Sequence, residues 1–246
     1  MRSITSYECG RVSWLRRLFG HKPELNAAQT AALAAYRELP EIADTVPLAG
    51  LRFVVADVET TGLNPMSDKL ISIGAVMVEN GIIRLGSGFQ TVLRQPRASA
   101  SANILIHGID GTTQCTGTDP ATALLEFFAY SAKAPIVGFH SGFDRVMIER
   151  AANTALGCTP SSTWLDLDYL APALFAPPKT AAPLGLDQWL QRFGIENQAR
   201  HNALADALAT AQLLQVVLAQ ATAGGASTLA DLTRLEQDQR WLRQIA

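Results

Sequence analysis

Several features that would assign a chain to a particular class are scarce here. Three cysteines, Cys9, Cys115 and Cys158, are spread through 246 residues. They are odd in number and form no C-x-x-C pair, which argues against a disulfide framework or a zinc knuckle and fits a reducing cytoplasm. No apolar run reaches the roughly 18 residues that would span a membrane. Arg11, Arg16 and Arg17 interrupt the early segment that could serve as a signal-peptide core, so a cytoplasmic protein without membrane attachment is expected. Charge is sparse, at 17% of residues, and nearly balanced, with 20 Lys+Arg against 22 Asp+Glu and a net charge of −2. That balance excludes a global attraction to polyanions, and any nucleic-acid contact must come from a local patch or through a metal ion. Internal repeats and low-complexity segments are also absent. Apolar residues, by contrast, make up 48% of the chain, enough for the core of one full domain with an elaborated terminus.

The chain is organised around FVVADVETTGL, residues 53–63. Phe53, Val54, Val55 and Ala56 run without alternation into Asp57, as in a strand buried on both faces. Side chains alternate across a strand, so Asp57 and Glu59 project from one face. Two carboxylates so placed repel each other, and burial raises their pKa values unless a cation lies between them. A divalent metal ion answers that need, although such a pair alone is commonly a solvated strand end. Thr60, Thr61 and Gly62 then end the strand in a tight turn that a ligand can approach closely.

Around this strand the chain reads in order. Residues 1–48 form a helical N-terminal extension. Its basic segment carries Val12, Trp14, Leu15, Leu18 and Phe19 among Arg11, Arg16, Arg17 and Lys22, and reads as a solvated helix packing its Trp on the domain. A second helix is expected between Pro23 and Pro40. Lys69 to Val78 reads as a strand, Asn80-Gly81 as a two-residue hairpin turn, and Ile82 to Leu93 as a third strand, giving an antiparallel meander. Arg94 to Ala102 reads as loop, and His107 beside Gly108 as a turn residue, with a substrate contact as the functional alternative. Asp119-Pro120 starts a helix as N-cap and first helical residue. Pro135 to Gly138 is a short buried strand, and the loop through Phe139 and His140 opens a helix near Phe143-Asp144. A strand and helix follow over Trp164 to Phe175, then a proline-rich loop that borders the site, Ala176 to Gly185. Helices are expected over Leu186 to Phe193, Ala203 to Ala221 and Thr228 to Ile245. This order predicts an α/β fold with a mixed five-stranded sheet flanked by helices. The expected domain is residues 49–222, and the final helix, 223–246, is expected to dock on it.

His201 and Asp206 lie five positions apart, about 140° around a helix, so they converge only if His201 precedes the helix. Asn202 as N-cap supplies that break. The arrangement VVADVETTGL, IHGI, VGFHSGFDR and HNALADALATAQLL closely resembles the DEDDh exonucleases, a group that includes the epsilon subunit of bacterial DNA polymerase III, RNase T and oligoribonuclease-like enzymes. The resemblance covers Leu51 to Ala221.

It implies an RNase-H-like fold. It also implies a 3′-to-5′ exonuclease acting on single-stranded nucleic acid, DNA in preference to RNA, and releasing nucleoside 5′-monophosphates. Asp57, Glu59, Asp144 and Asp206 would hold two Mg²⁺ or Mn²⁺ ions, His201 would be the general base, and Thr60, Thr61 and Leu63 would meet the terminal nucleotide. The family often has His-Asn where this chain has Phe139-His140, so His140 takes an asparagine's place on the substrate side. A DNA polymerase subunit is an expected partner. The alternative is a catalytically silent nucleic-acid-binding or polymerase-associated module.

Overall fold

The computed structural model describes residues 23–175 and 183–245. The basic segment around Trp14 and most of the proline-rich loop lie outside the described residues.

Strand β1 (Arg52–Thr60) is the centre of the sheet, antiparallel to β2 (Leu70–Glu79) on one side and parallel to β5 (Ile136–Gly138) on the other. Beyond β5 lies the parallel strand β6 (Trp164–Asp166). The far edge of β2 pairs with both β3 (Ile82–Ile83) and β4 (Phe89–Val92). The sheet therefore has six strands rather than the expected five. The predicted third strand is broken by a single 3-10 turn at Leu85–Ser87, which donates the Gly88 amide back to the Leu85 carbonyl. The hairpin at Asn80-Gly81 is as expected, and both residues take positive φ, 52° and 70°, the primed-turn geometry that matches strand twist.

Both faces of β1 are covered, hence its unbroken apolar run. Phe53 and Val55 face a core shared with α6 (Leu167–Leu174), α7 (Leu186–Arg192), α8 (Ala203–Ala223) and α9 (Leu229–Ile245). Val54, Ala56 and Val58 face the other core, built with α1 (Ala27–Glu38), α4 (Pro120–Ser131) and α5 (Ser141–Leu156). Helix α1 stacks Tyr36 on Phe128, with ring centroids 5.0 Å apart. Its C-terminal end is held by the buried Lys133, whose Nζ donates to the Leu39 carbonyl at 2.6 Å. Helix α8 is long and apolar enough to cross a bilayer by length and composition alone. Here it packs across β1 and β2, with Leu213, Leu214 and Val217 buried.

Two short helices occupy a stretch whose first part reads as loop: α2 (Ser101–His107) and α3 (Gly111–Thr116). Asp110 caps α3 by accepting the amides of Thr112 and Thr113. Beyond α8, Leu48 donates its amide to Ser227 at 2.8 Å, and Leu229 and Ala230 donate theirs to Val46 and Asp44, so the segment before β1 is clasped to the start of α9.

Candidate active site

Asp57 and Glu59 leave β1 on the α8 side of the sheet. Directly opposite Asp57 in the register is Gly74 of β2. A Cβ on Gly74 would lie 2.2 Å from the backbone of Ala203 and Leu204. The absence of a side chain there lets the first turn of α8 press onto β2 level with Asp57, and this carries Asp206 into the site. A carboxylate oxygen from each of Asp57, Glu59 and Asp206 lies within 4.8 Å of the others.

Asp206 is buried and well supplied with donors. Its Oδ2 accepts the His201 amide at 2.9 Å, and its Oδ1 accepts the Asn197 side-chain amide and Arg200 Nη1, the latter at 2.8 Å. Arg200 also donates Nε to Asp187 of α7 at 2.8 Å. Asn202 caps α8 through the Ala205 amide. His201 sits just before it with φ of 64°, its backbone bound and its side chain exposed at the mouth of the helix.

Asp144 is not among the three that converge within 4.8 Å. It lies in the first turn of α5, buried. Its charge is the strongest electrostatic influence on Asp57 after burial itself. The loop before α5 is held from β6: Asp166 accepts the His140 amide at 2.9 Å. His140 caps α5 with φ of 60° and a side chain 66% exposed, its Nδ1 3.5 Å from Asp168 Oδ2.

These carboxylates are held far from their ordinary protonation. Burial, then the charges of Asp144, Asp206 and Glu59, pushes Asp57 well up. Burial and Asp206 raise Glu59 to about 8, with Arg200 opposing. Burial, followed by Asp166, raises Asp144. Three converging carboxylates with one nearby guanidinium form an all-oxygen donor set short of positive charge, which suits a hard divalent cation such as Mg²⁺ or Mn²⁺. Asp57, Glu59 and Asp206 are the residues placed to hold one, with Asp144 beside Asp57.

On the substrate side, β1 ends in a register shift between Glu59 and Thr60. Thr60 Oγ1 donates to the Gly62 carbonyl at 2.6 Å, and the Thr61 carbonyl accepts Asn103 of α2 at 2.6 Å. Leu63 projects from this braced turn 88% exposed. His107 is not the turn residue expected but the last residue of α2: it is buried, and its Nδ1 accepts the Ile109 amide at 3.0 Å. Gly74, Arg200, Asn197 and Asp166 were not singled out from the sequence. An isolated glycine within a strand pattern signals close backbone approach, and that signal was present at Gly74.

The exonuclease family RNase_T matches residues 54–214. A DNA polymerase III subunit epsilon-like protein of Rhodobacter capsulatus is 33% identical over 205 residues, covering 81% of this chain and 28% of that protein. The chain thus spans little more than a quarter of that relative's length. Among solved structures, E. coli exonuclease I in complex with a dT13 oligonucleotide superposes with a TM-score of 0.58 at 20% identity, over 70% of this chain and 42% of that one. Exonuclease X in complex with 5′ overhanging duplex DNA gives 0.55 at 21% identity, over 74% and 99%. These likenesses show a shared fold. The family match runs from the third residue of β1 to the middle of α8 and takes in every element that carries the acids, so the chain belongs to the RNase_T family of exonucleases.

Proposed function

We propose that the protein is a metal-dependent 3′-to-5′ exonuclease that removes nucleoside 5′-monophosphates from single-stranded 3′ ends, DNA in preference to RNA. The observation that carries this reading is the convergence of Asp57, Glu59 and Asp206 within 4.8 Å, with Asp144 buried beside them. Two divalent ions held by these acids would supply charge stabilisation at the attacked phosphate and an activated water. His201, free to turn at the mouth of α8, receives the proton of that water, a task suited to an imidazole whose reference pKa is about 6.5. Asp206 fixes the His201 backbone through the amide, so base and ligand move as one unit. The turn at Thr60 and Thr61 presents backbone groups to the terminal nucleotide, Leu63 presses against its base, and His140 borders the same substrate.

The DNA in the neighbouring exonuclease I and exonuclease X complexes supports a DNA substrate, and the epsilon-like relative supports association with a polymerase subunit. The test is a time course on 5′-labelled single strands of DNA and RNA, with Mg²⁺ or Mn²⁺, with chelator, and with Asp57→Ala. A metal-dependent ladder shortening from the 3′ end and absent in the variant is the expected result. Binding without shortening under either metal would overturn it in favour of a silent binding module.

A further inference from the structure

A groove of about 320 Å³ lies on the far side of the turn that follows Glu59. Its floor is apolar, with Leu70, Leu93 and Met147, and Lys69, Arg94 and Arg150 supply its charge. Resting on the exonuclease reading above, we propose that this groove holds the phosphodiester backbone of the substrate strand upstream of its 3′ end.

Three observations lead there. The groove adjoins the site, because Lys69 is hydrogen-bonded directly across from Thr61, which donates its amide to the Lys69 carbonyl at 3.0 Å and accepts the Lys69 amide on Oγ1 at 2.9 Å. One face of α5 joins the two places, since Asp144, Met147 and Ala151 follow one another at helical spacing, and the groove-lining residues of α5 continue from there to Ala155. The charges are also available. Lys69 has no ion pair among the described residues. Arg150 donates to neutral acceptors, the carbonyls of Pro65 and Asp68 and Met147 Sδ, and has no ion pair among the described residues. The acid nearest to Lys69, Asp68, turns its carboxylate inward onto Thr61 Oγ1 and the Asn64 amide. Asp119 pairs with Arg94 at 3.1 Å, and Asp68 itself lines the groove, so two acids oppose these cations among the described residues. A chain of net charge −2 with acids gathered at its active site needs a local cationic track, and a charged groove with an apolar floor is how single strands are held without sequence preference.

The test compares a dinucleotide, too short to reach the groove, with a single strand of about 15 nucleotides, within the range that such grooves engage. Both are given to the wild type and to the double variant Lys69→Gln/Arg94→Gln. Both side chains are exposed, and Asp119 retains its cap on α4, so an unchanged melting temperature is the folding control. The expected result is a KM for the long strand raised roughly tenfold, with a salt dependence shallower by about 1 to 1.5 in log–log slope for two lost phosphate contacts. The kcat and the dinucleotide KM stay unchanged. An equal change for both lengths, or none for either, overturns the proposal and leaves an acidic peptide as the groove's occupant. If the wild type cleaves neither strand, the exonuclease reading fails by itself. Fluorescence anisotropy of the labelled long strand then decides the groove: weaker binding by the variant upholds it, and equal binding overturns it.

Discussion

Arg200 balances the site in the absence of metal. Its guanidinium is divided between Asp206 and Asp187, and its charge opposes the rise that burial and the neighbouring acids impose on Asp57 and Glu59. Replacing it with alanine leaves a buried carboxylate with neutral donors only. Metal-free Arg200→Ala should therefore lose about 1 to 3 kcal/mol of stability, most of it regained on adding Mg²⁺, as read from thermal melts with and without chelator. An equal loss in both conditions would show that Arg200 is only a structural tie. His201→Ala should lower the rate by about 10² to 10⁴, the usual worth of a general base, while calorimetry finds metal binding unchanged. The acids that converge, Asp57, Glu59 and Asp206, were legible through the motifs that carry the resemblance to the DEDDh exonucleases. Arg200 was not, since nothing in a string of residues says that a guanidinium from the same loop will fold back onto Asp206.

At the scale of elements, the decisive contact is between α8 and β2. Gly74→Ala puts a methyl group into the backbone of Ala203 and Leu204, so α8 must withdraw and take Asp206 with it. The expected cost is about 1 to 3 kcal/mol of overpacking. The accompanying fall in kcat should be about 10²-fold or more, because a misplacement of about 1 Å suffices for that. Near-normal kcat in a destabilised Gly74→Ala would refute the link between this glycine and the acids. Helices with strong periodicity or capping residues, α4, α5 and α8, were readable in advance. Helices α2 and α3 were not, because each is less than two turns long and shows no repeat of apolar positions. Only Asp110, a good N-cap, marked the second. The third strand was misread as continuous because Leu85, Gly86 and Ser87 carry too little pattern to announce a break.

For the molecule as a whole, the raised carboxylates tie stability to pH. Glu59 titrates near 8 when folded against an ordinary 4.5, so the folded state binds more protons than the unfolded one across that interval. Its contribution is fully present below about 4.5 and is lost as pH rises toward 8. Chelator-treated protein should accordingly melt at progressively lower temperature from pH 5 to 8.5. Glu59→Gln should flatten that slope, and a divalent ion, which binds the deprotonated acids, should flatten or reverse it. A melting temperature independent of pH in the chelated wild type would refute the shared burial of these acids. The layered α/β arrangement was legible from element order. The seating of α9 was harder to see, because it rests on pairs that meet only in three dimensions: Arg243 donates to the buried Asp168, and Glu236 accepts the Asp166 amide at 3.2 Å.

The clasp between residues 44–48 and 227–230 has a mechanical meaning. It lies at the end of α8 remote from Asp206, about 25 Å away along the helix axis. The hydrogen bonds from Leu48, Leu229 and Ala230 join the two segments that flank the sheet and its helices. Tension applied through those segments would load these bonds first, and the clasp would have to open before any strain reached β1. The acids can thus keep their spacing, within 4.8 Å of one another, while the flanking chain is pulled.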